Sequence, residues 1–73
     1  MRDVSDPLYW DASFALAHRL IEEHPAVDLE SVTLTMVQDW VLALPEFADD
    51  RALVNDDLLA AIYQEWFEEV NPL

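Results

Sequence analysis

The chain has no cysteine, no glycine and no lysine. Each absence closes off some chemistry. Without cysteine there is no disulfide and no thiolate zinc site to staple a small domain. There is also no thiol nucleophile, no persulfide carrier and no thiolate ligand for an iron–sulfur cluster. The lack of cysteine accords with a reducing compartment. Without glycine there is no EF-hand, whose loop needs a central glycine and a closing glutamate. No apolar run approaches the roughly 20 residues of a membrane span. The N-terminal stretch Met1–Pro7 lacks an apolar core of the kind that targeting signals carry. The expected location is the cytoplasm.

What is present is acid. Sixteen Asp and Glu face three Arg, for a formal net charge of −13 over 73 residues. Affinity for nucleic acid comes mainly from Lys and Arg neutralising phosphates, so this surface repels a duplex. Anionic membranes are disfavoured for the same reason. A basic protein or a hard cation suits it. Acids also serve solubility alone, and that reading stands beside the functional one.

The length supports one domain. With 53% apolar residues and three Trp, the composition suits a packed core rather than disorder. Residues 1–9 are expected to form a flexible arm, residues 10–70 the single helical domain, and residues 71–73 a tail. Asp6-Pro7 argues against helix at the start. Trp10 is the expected anchor, with Asp11 or Ser13 as an N-cap. Phe14, Ala17, Leu20 and Ile21 recur at helical spacing until Pro25, which predicts a first helix over 12–24. Ser31-Val32-Thr33-Leu34 is short and β-branched, and reads as an extended piece or small strand. Thr35 with Gln38 three residues on resembles a capping box. Val37, Trp40, Val41 and Leu44 then predict a second helix over 36–44. Phe47 is expected to tuck inward from the following loop. Asn55 caps a third helix over 56–70, with Asp56 and Asp57 in its favoured first turn. Leu59, Ile62, Tyr63 and Trp66 form its inner face. The fold class is mainly α: a three-helix, winged-helix-like (helix–turn–helix) domain with a short extended segment and no true wing.

The aromatic set Trp10, Phe14, Trp40, Phe47 and Trp66 is assigned to the core. His18 and Glu22 are four apart on one helix face, which offers a hydrogen bond or half a metal site. His24 beside Pro25 reads as a helix-end residue. Glu46, Asp49 and Asp50 share one loop, as a solvated acidic loop or as weak ligands for a hard cation. Glu65, Glu68 and Glu69 oppose the dipole at a helix C-terminus, a mild cost that hints at binding. No nucleophile–base pair, phosphate loop or paired-His motif is present, so no enzyme is expected.

The ordered set resembles the IscX (YfhJ) family of small acidic proteins of bacterial iron–sulfur cluster assembly. It comprises Trp10, then His24-Pro25 with Asp28, then Val32-Thr33-Leu34-Thr35 with Trp40. Leu44, Glu46-Phe47-Ala48-Asp49-Asp50, Asn55-Asp56, Ala61-Ile62, Trp66 and Glu68-Glu69 follow. The likeness runs from about Leu8 to Glu69. It implies a trihelical fold that does not bind DNA. It implies docking of an acidic surface on the cysteine desulfurase IscS, at a basic patch also used by frataxin and ferredoxin. It implies weak Fe2+ binding at surface carboxylates and a role as adaptor or regulator; no tightly bound cofactor is expected. The expected partner-binding acids are Glu22, Glu23, Asp28, Glu46, Asp49, Asp50 and Asp56. The expected metal-binding acids are Glu46, Asp49 and Asp50. A monomer is expected. The chain departs from the family's pattern where Ala12, Ala15 and His18 replace acids, and where Arg51 follows the acidic loop. The other reading is a nucleic-acid mimic, or an inhibitory binder of an unrelated basic protein.

Overall fold

The computed structural model describes residues 7–71. Its elements follow one another as α1 (Ser13–Glu23), a 3-10 turn (Leu29–Ser31), α2 (Leu34–Leu42), a second 3-10 turn (Arg51–Leu53) and α3 (Asp56–Val70). The mainly α class is therefore met by three helices, and the described residues hold no strand. The three-helix arrangement is compatible with a winged-helix-like core.

Residues 1–6 of the expected arm lie outside the described residues. The arm ends earlier than its sequence suggested, because Leu8 is docked. Its N–H donates to the Glu46 carbonyl at 3.0 Å, and its carbonyl accepts from Ala48 N at 2.8 Å. This isolated parallel bridge to Phe47 buries Leu8. Two residues on, Trp10 is 2% exposed. Its ring meets Phe47 edge-on at 4.7 Å. Burying such a ring removes roughly 200 Å2 from water, worth about 5 kcal/mol.

Chain entry into α1 differs from expectation. Ala12 holds the N-cap position and makes no side-chain cap bond. The turn before it is closed by backbone, from Ala12 N to the Tyr9 carbonyl at 3.0 Å. The buried Trp10 fixes where the chain enters α1, without capping its free N–H groups. α1 ends at Glu23, and His24 N closes it on the Leu20 carbonyl at 2.8 Å, just before Pro25.

The expected extended piece at 31–34 is only half extended. Asp28 caps the 3-10 turn, its carboxylate accepting from Glu30 N at 3.0 Å. Only Val32 and Thr33 keep extended backbone before α2 begins. The cap of α2 is Thr33, not Thr35: its hydroxyl accepts from Met36 N at 3.2 Å. The helix therefore starts two residues earlier than predicted. It also stops earlier, at Leu42, and Ala43 turns out of it ahead of Pro45. The third helix matches its prediction. Asn55 accepts from Leu58 N at 2.9 Å, and Asp56 and Asp57 occupy the first turn.

The core is where the three helices meet. Leu16, Ala17 and Leu20 of α1 pack with Val37 and Val41 of α2, and with Leu59, Ile62 and Trp66 of α3. Trp40, Phe47 and Tyr63 pack half-buried around them. Tyr63 also donates its hydroxyl to the Leu29 carbonyl at 2.9 Å, fastening the first 3-10 turn to α3. Phe14 is the exception among the aromatics assigned to the core, being 56% exposed. The buried set of α1 is Leu16, Ala17 and Leu20, which places Phe14 at the edge of that stripe. Its ring lies tilted against that of His18, with centroids 4.3 Å apart and planes at 48°.

Candidate functional site: an acidic face organised by Arg19

Three carboxylates from two parts of the chain converge on Arg19. Glu22 and Glu23 lie one turn further along α1, at 2.9 and 3.1 Å. Those spacings, i+3 and i+4, are the ones that bring side chains together on a helix. Glu46 comes from the loop after α2 and is gripped at both oxygens, by Arg19 Nε at 2.9 Å and by a terminal nitrogen at 3.3 Å. Glu46 reaches this place because the Leu8 bridge holds its backbone. Of the four groups, Glu46 is the most enclosed, at 14% side-chain exposure, against 69% for Glu22 and 51% for Glu23.

The guanidinium pKa is held above its ordinary value, chiefly by the Glu46 hydrogen bond. Desolvation opposes this, and Glu23 and Glu22 add to it. Three acids against one cation leave surplus negative charge, with the outer two carboxylates facing solvent.

Asp49 and Asp50 extend the loop from Glu46, and both are engaged. Asp49 accepts from Trp10 N at 2.9 Å through one oxygen and from Asp50 N at 2.7 Å through the other. The carboxylate of Asp50 accepts from Ala52 N at 2.9 Å. The Asp50 carbonyl accepts from the Trp10 indole N–H at 2.8 Å. These acids thus do structural work that their sequence setting did not reveal. Of the other acids singled out, Asp28 caps the first 3-10 turn and Asp56 begins α3.

Glu46, Asp49 and Asp50 do not form a ready set of cation ligands. Glu46 is committed to Arg19, and both oxygens of Asp49 accept backbone N–H groups. Among the described residues no group of three His, Cys, Asp or Glu side chains is arranged to hold a metal ion. His18 does not pair with Glu22, which Arg19 has taken; its Nε2 lies 3.4 Å from Glu69 on α3. His24 is a helix-end residue and stacks on Trp40 at 4.0 Å.

Arg19 is the residue that reading the sequence missed. Its pairing with Glu22 and Glu23 was legible from spacing alone. Its grip on Glu46, 27 positions away, was not.

Fold and site together define a small acidic three-helix protein in which Arg19 gathers three of the acids into one cluster. The chain belongs to the iron–sulphur cluster assembly family, the IscX/YfhJ family, whose model matches residues 8–71. A relative from Pseudomonas aeruginosa, described as an uncharacterized protein, is 37% identical over 62 residues. That match covers 85% of this chain and 94% of the relative. The family is one of accessory proteins of cluster assembly. Among the described residues no helix is long and apolar enough to cross a membrane.

Proposed function

We propose that this chain is a cytoplasmic adaptor or regulator of iron–sulfur cluster assembly that docks on the cysteine desulfurase IscS through the Arg19-centred acidic face. Glu22 and Glu23 make the outer contacts, and Glu46, Asp49 and Asp50 form the inner wall. Asp28 and Asp56 contribute to the field that draws a basic partner in. The observation that carries this reading is the convergence of Glu22, Glu23 and Glu46 on one guanidinium within a chain of net charge −13. Such a surface steers a basic partner over long range and is screened by salt. Fe2+ binds the loop carboxylates only weakly, since they already accept bonds from the protein itself.

Calorimetric titration into purified desulfurase tests the reading. Binding is expected at low salt and is expected to fade at roughly 0.5 M salt, where the screening length is about 4 Å. Glu22→Gln with Glu23→Gln weakens it without unfolding the chain. Affinity that is indifferent to salt and to these two changes would rule out docking through this face.

A further inference from the structure

A second surface lies along α3, away from the Arg19 cluster. It consists of two adjoining grooves. One, of about 330 Å3, runs between the connection after α1 and the C-terminal half of α3, past Pro25, Val27, Phe67 and Val70. The other, on the outer side of α3, is lined by Ala60, Tyr63, Gln64 and Phe67. Phe67 borders both and forms the ridge between them. It is 44% exposed and Val70 is 46% exposed. Isolated exposed apolar residues are ordinary, but an adjoining set beside a preformed groove marks an interaction surface.

The groove wall is braced from behind. Trp66 forms part of it and packs against Trp40 at 5.9 Å, on which His24 stacks. Tyr63 ties the Leu29 turn to α3. Ile21 lines the first groove, and it stands about 200° from Arg19 around α1, at 100° per residue. The groove and the acidic cluster therefore occupy opposite flanks of that helix.

Charge selects the occupant. The groove edges carry Asp28, Glu30 and Glu68, and neither lining includes Arg. A second copy of a chain at −13 is repelled. Nucleic acid and anionic lipid are repelled likewise. What fits is a cationic protein segment with apolar residues on one side.

We propose that this surface docks an amphipathic Lys/Arg-rich segment of a partner protein, with Phe67 as the apolar anchor and Asp28, Glu30 and Glu68 facing its cations. This is helix-in-groove recognition on an acidic rim. It shares only Asp28 with the desulfurase reading and does not rest on it.

The probe is an amphipathic Leu/Lys peptide of about 14 residues, long enough for an apolar helix face. An oligolysine of equal charge serves as control. Each is titrated into the isotopically labelled full chain, and amide shifts are followed. The Leu/Lys peptide is expected to give saturable shifts centred on Val27, Phe67 and Val70. Oligolysine is expected to give diffuse shifts over all the acids. Phe67→Ser is expected to weaken Leu/Lys binding about tenfold or more, as loss of an interface anchor does. Circular dichroism checks its fold, and Val70→Ser gives a second reading with a smaller deletion. Unchanged affinity in both variants overturns the proposal, as do shifts centred on Glu22 and Glu23. Concentration-dependent dimerisation of the free chain that Phe67→Ser abolishes also overturns it, by assigning the face to a second copy.

Discussion

Replacing Asp49 by Ala separates the structural role of the acidic loop from its binding role. Asp49 accepts two backbone N–H bonds, from Trp10 at 2.9 Å and from Asp50 at 2.7 Å. The first joins the segment before α1 to the loop after α2, across 39 positions of sequence. Hydrogen bonds to a charged group contribute about 1.5–3 kcal/mol each when well enclosed. Asp49 is only half-buried, so about 1–1.5 kcal/mol each is appropriate, or about 2–3 kcal/mol together. Losing one negative charge from a chain at −13 relieves some repulsion and trims that figure slightly. A domain of 73 residues has a total stability of roughly 4–11 kcal/mol, so the loss is a large share. At about 4–8 °C per kcal/mol for a domain of this size, Tm falls by about 10–20 °C. Asp49→Asn keeps one acceptor and falls about half as far. Thermal unfolding followed by circular dichroism reads both. A Tm for Asp49→Ala within about 2 °C of the parent would show that the Asp49 bonds carry no net stability and refute the reasoning. The consequence is practical. A binding defect in an Asp49 variant is interpretable only after its fold has been checked, whereas Glu22 and Glu23 report on binding directly.

Three further outcomes are expected. Thr33→Ala removes the α2 cap and costs about 1 kcal/mol, while Thr35→Ala costs under about 0.5 kcal/mol; equal losses in urea titration would restore Thr35 as the cap. Arg19→Met leaves enclosed Glu46 facing two other acids and costs about 1–2 kcal/mol. Because Glu46 raises the Arg19 pKa, the stabilisation from that guanidinium is complete below its unfolded pKa, itself far above neutral, and is lost only as pH rises through the folded value. The stability difference between parent and Arg19→Met is accordingly flat from pH 7 to about pH 10, and a decline in that window contradicts the assignment. Anaerobic Fe2+ titration is expected to shift the Glu46, Asp49 and Asp50 resonances progressively without saturation, since a cation must compete with Arg19 and backbone donors there. A saturating one-to-one transition at these residues would establish a defined site instead.

Much of this protein is local, and local features were legible in the sequence. The apolar period of α3, its Asn55 cap and its first-turn acids are decided within a few residues, and the structure follows them. Pro25 and Pro45 each keep a helix from running on, because proline lacks the amide and clashes with the preceding turn. The acidic imbalance is a property of composition and needs no coordinates. Where a local signal was misleading, tertiary context overrode it. The sequence pointed to Thr35 with Gln38 as the cap of α2, and the cap is Thr33, two residues after the 3-10 turn that Asp28 closes. The start of α1 carries no cap signal that the structure uses, because its anchor is Trp10, held by Asp49 and the Asp50 carbonyl some 40 positions away. The same long-range closure set the character of the acids. As a string, Glu22, Glu23, Glu46, Asp49 and Asp50 are interchangeable negative charges. Tertiary structure divides them into a carboxylate clamped by Arg19, two that hold Trp10 and the loop, and two left facing solvent. A sequence fixes how much charge a chain carries and how its helices are phased. Which charges are consumed by the fold and which remain for a partner depends on contacts between distant segments, and only the packed chain decides it.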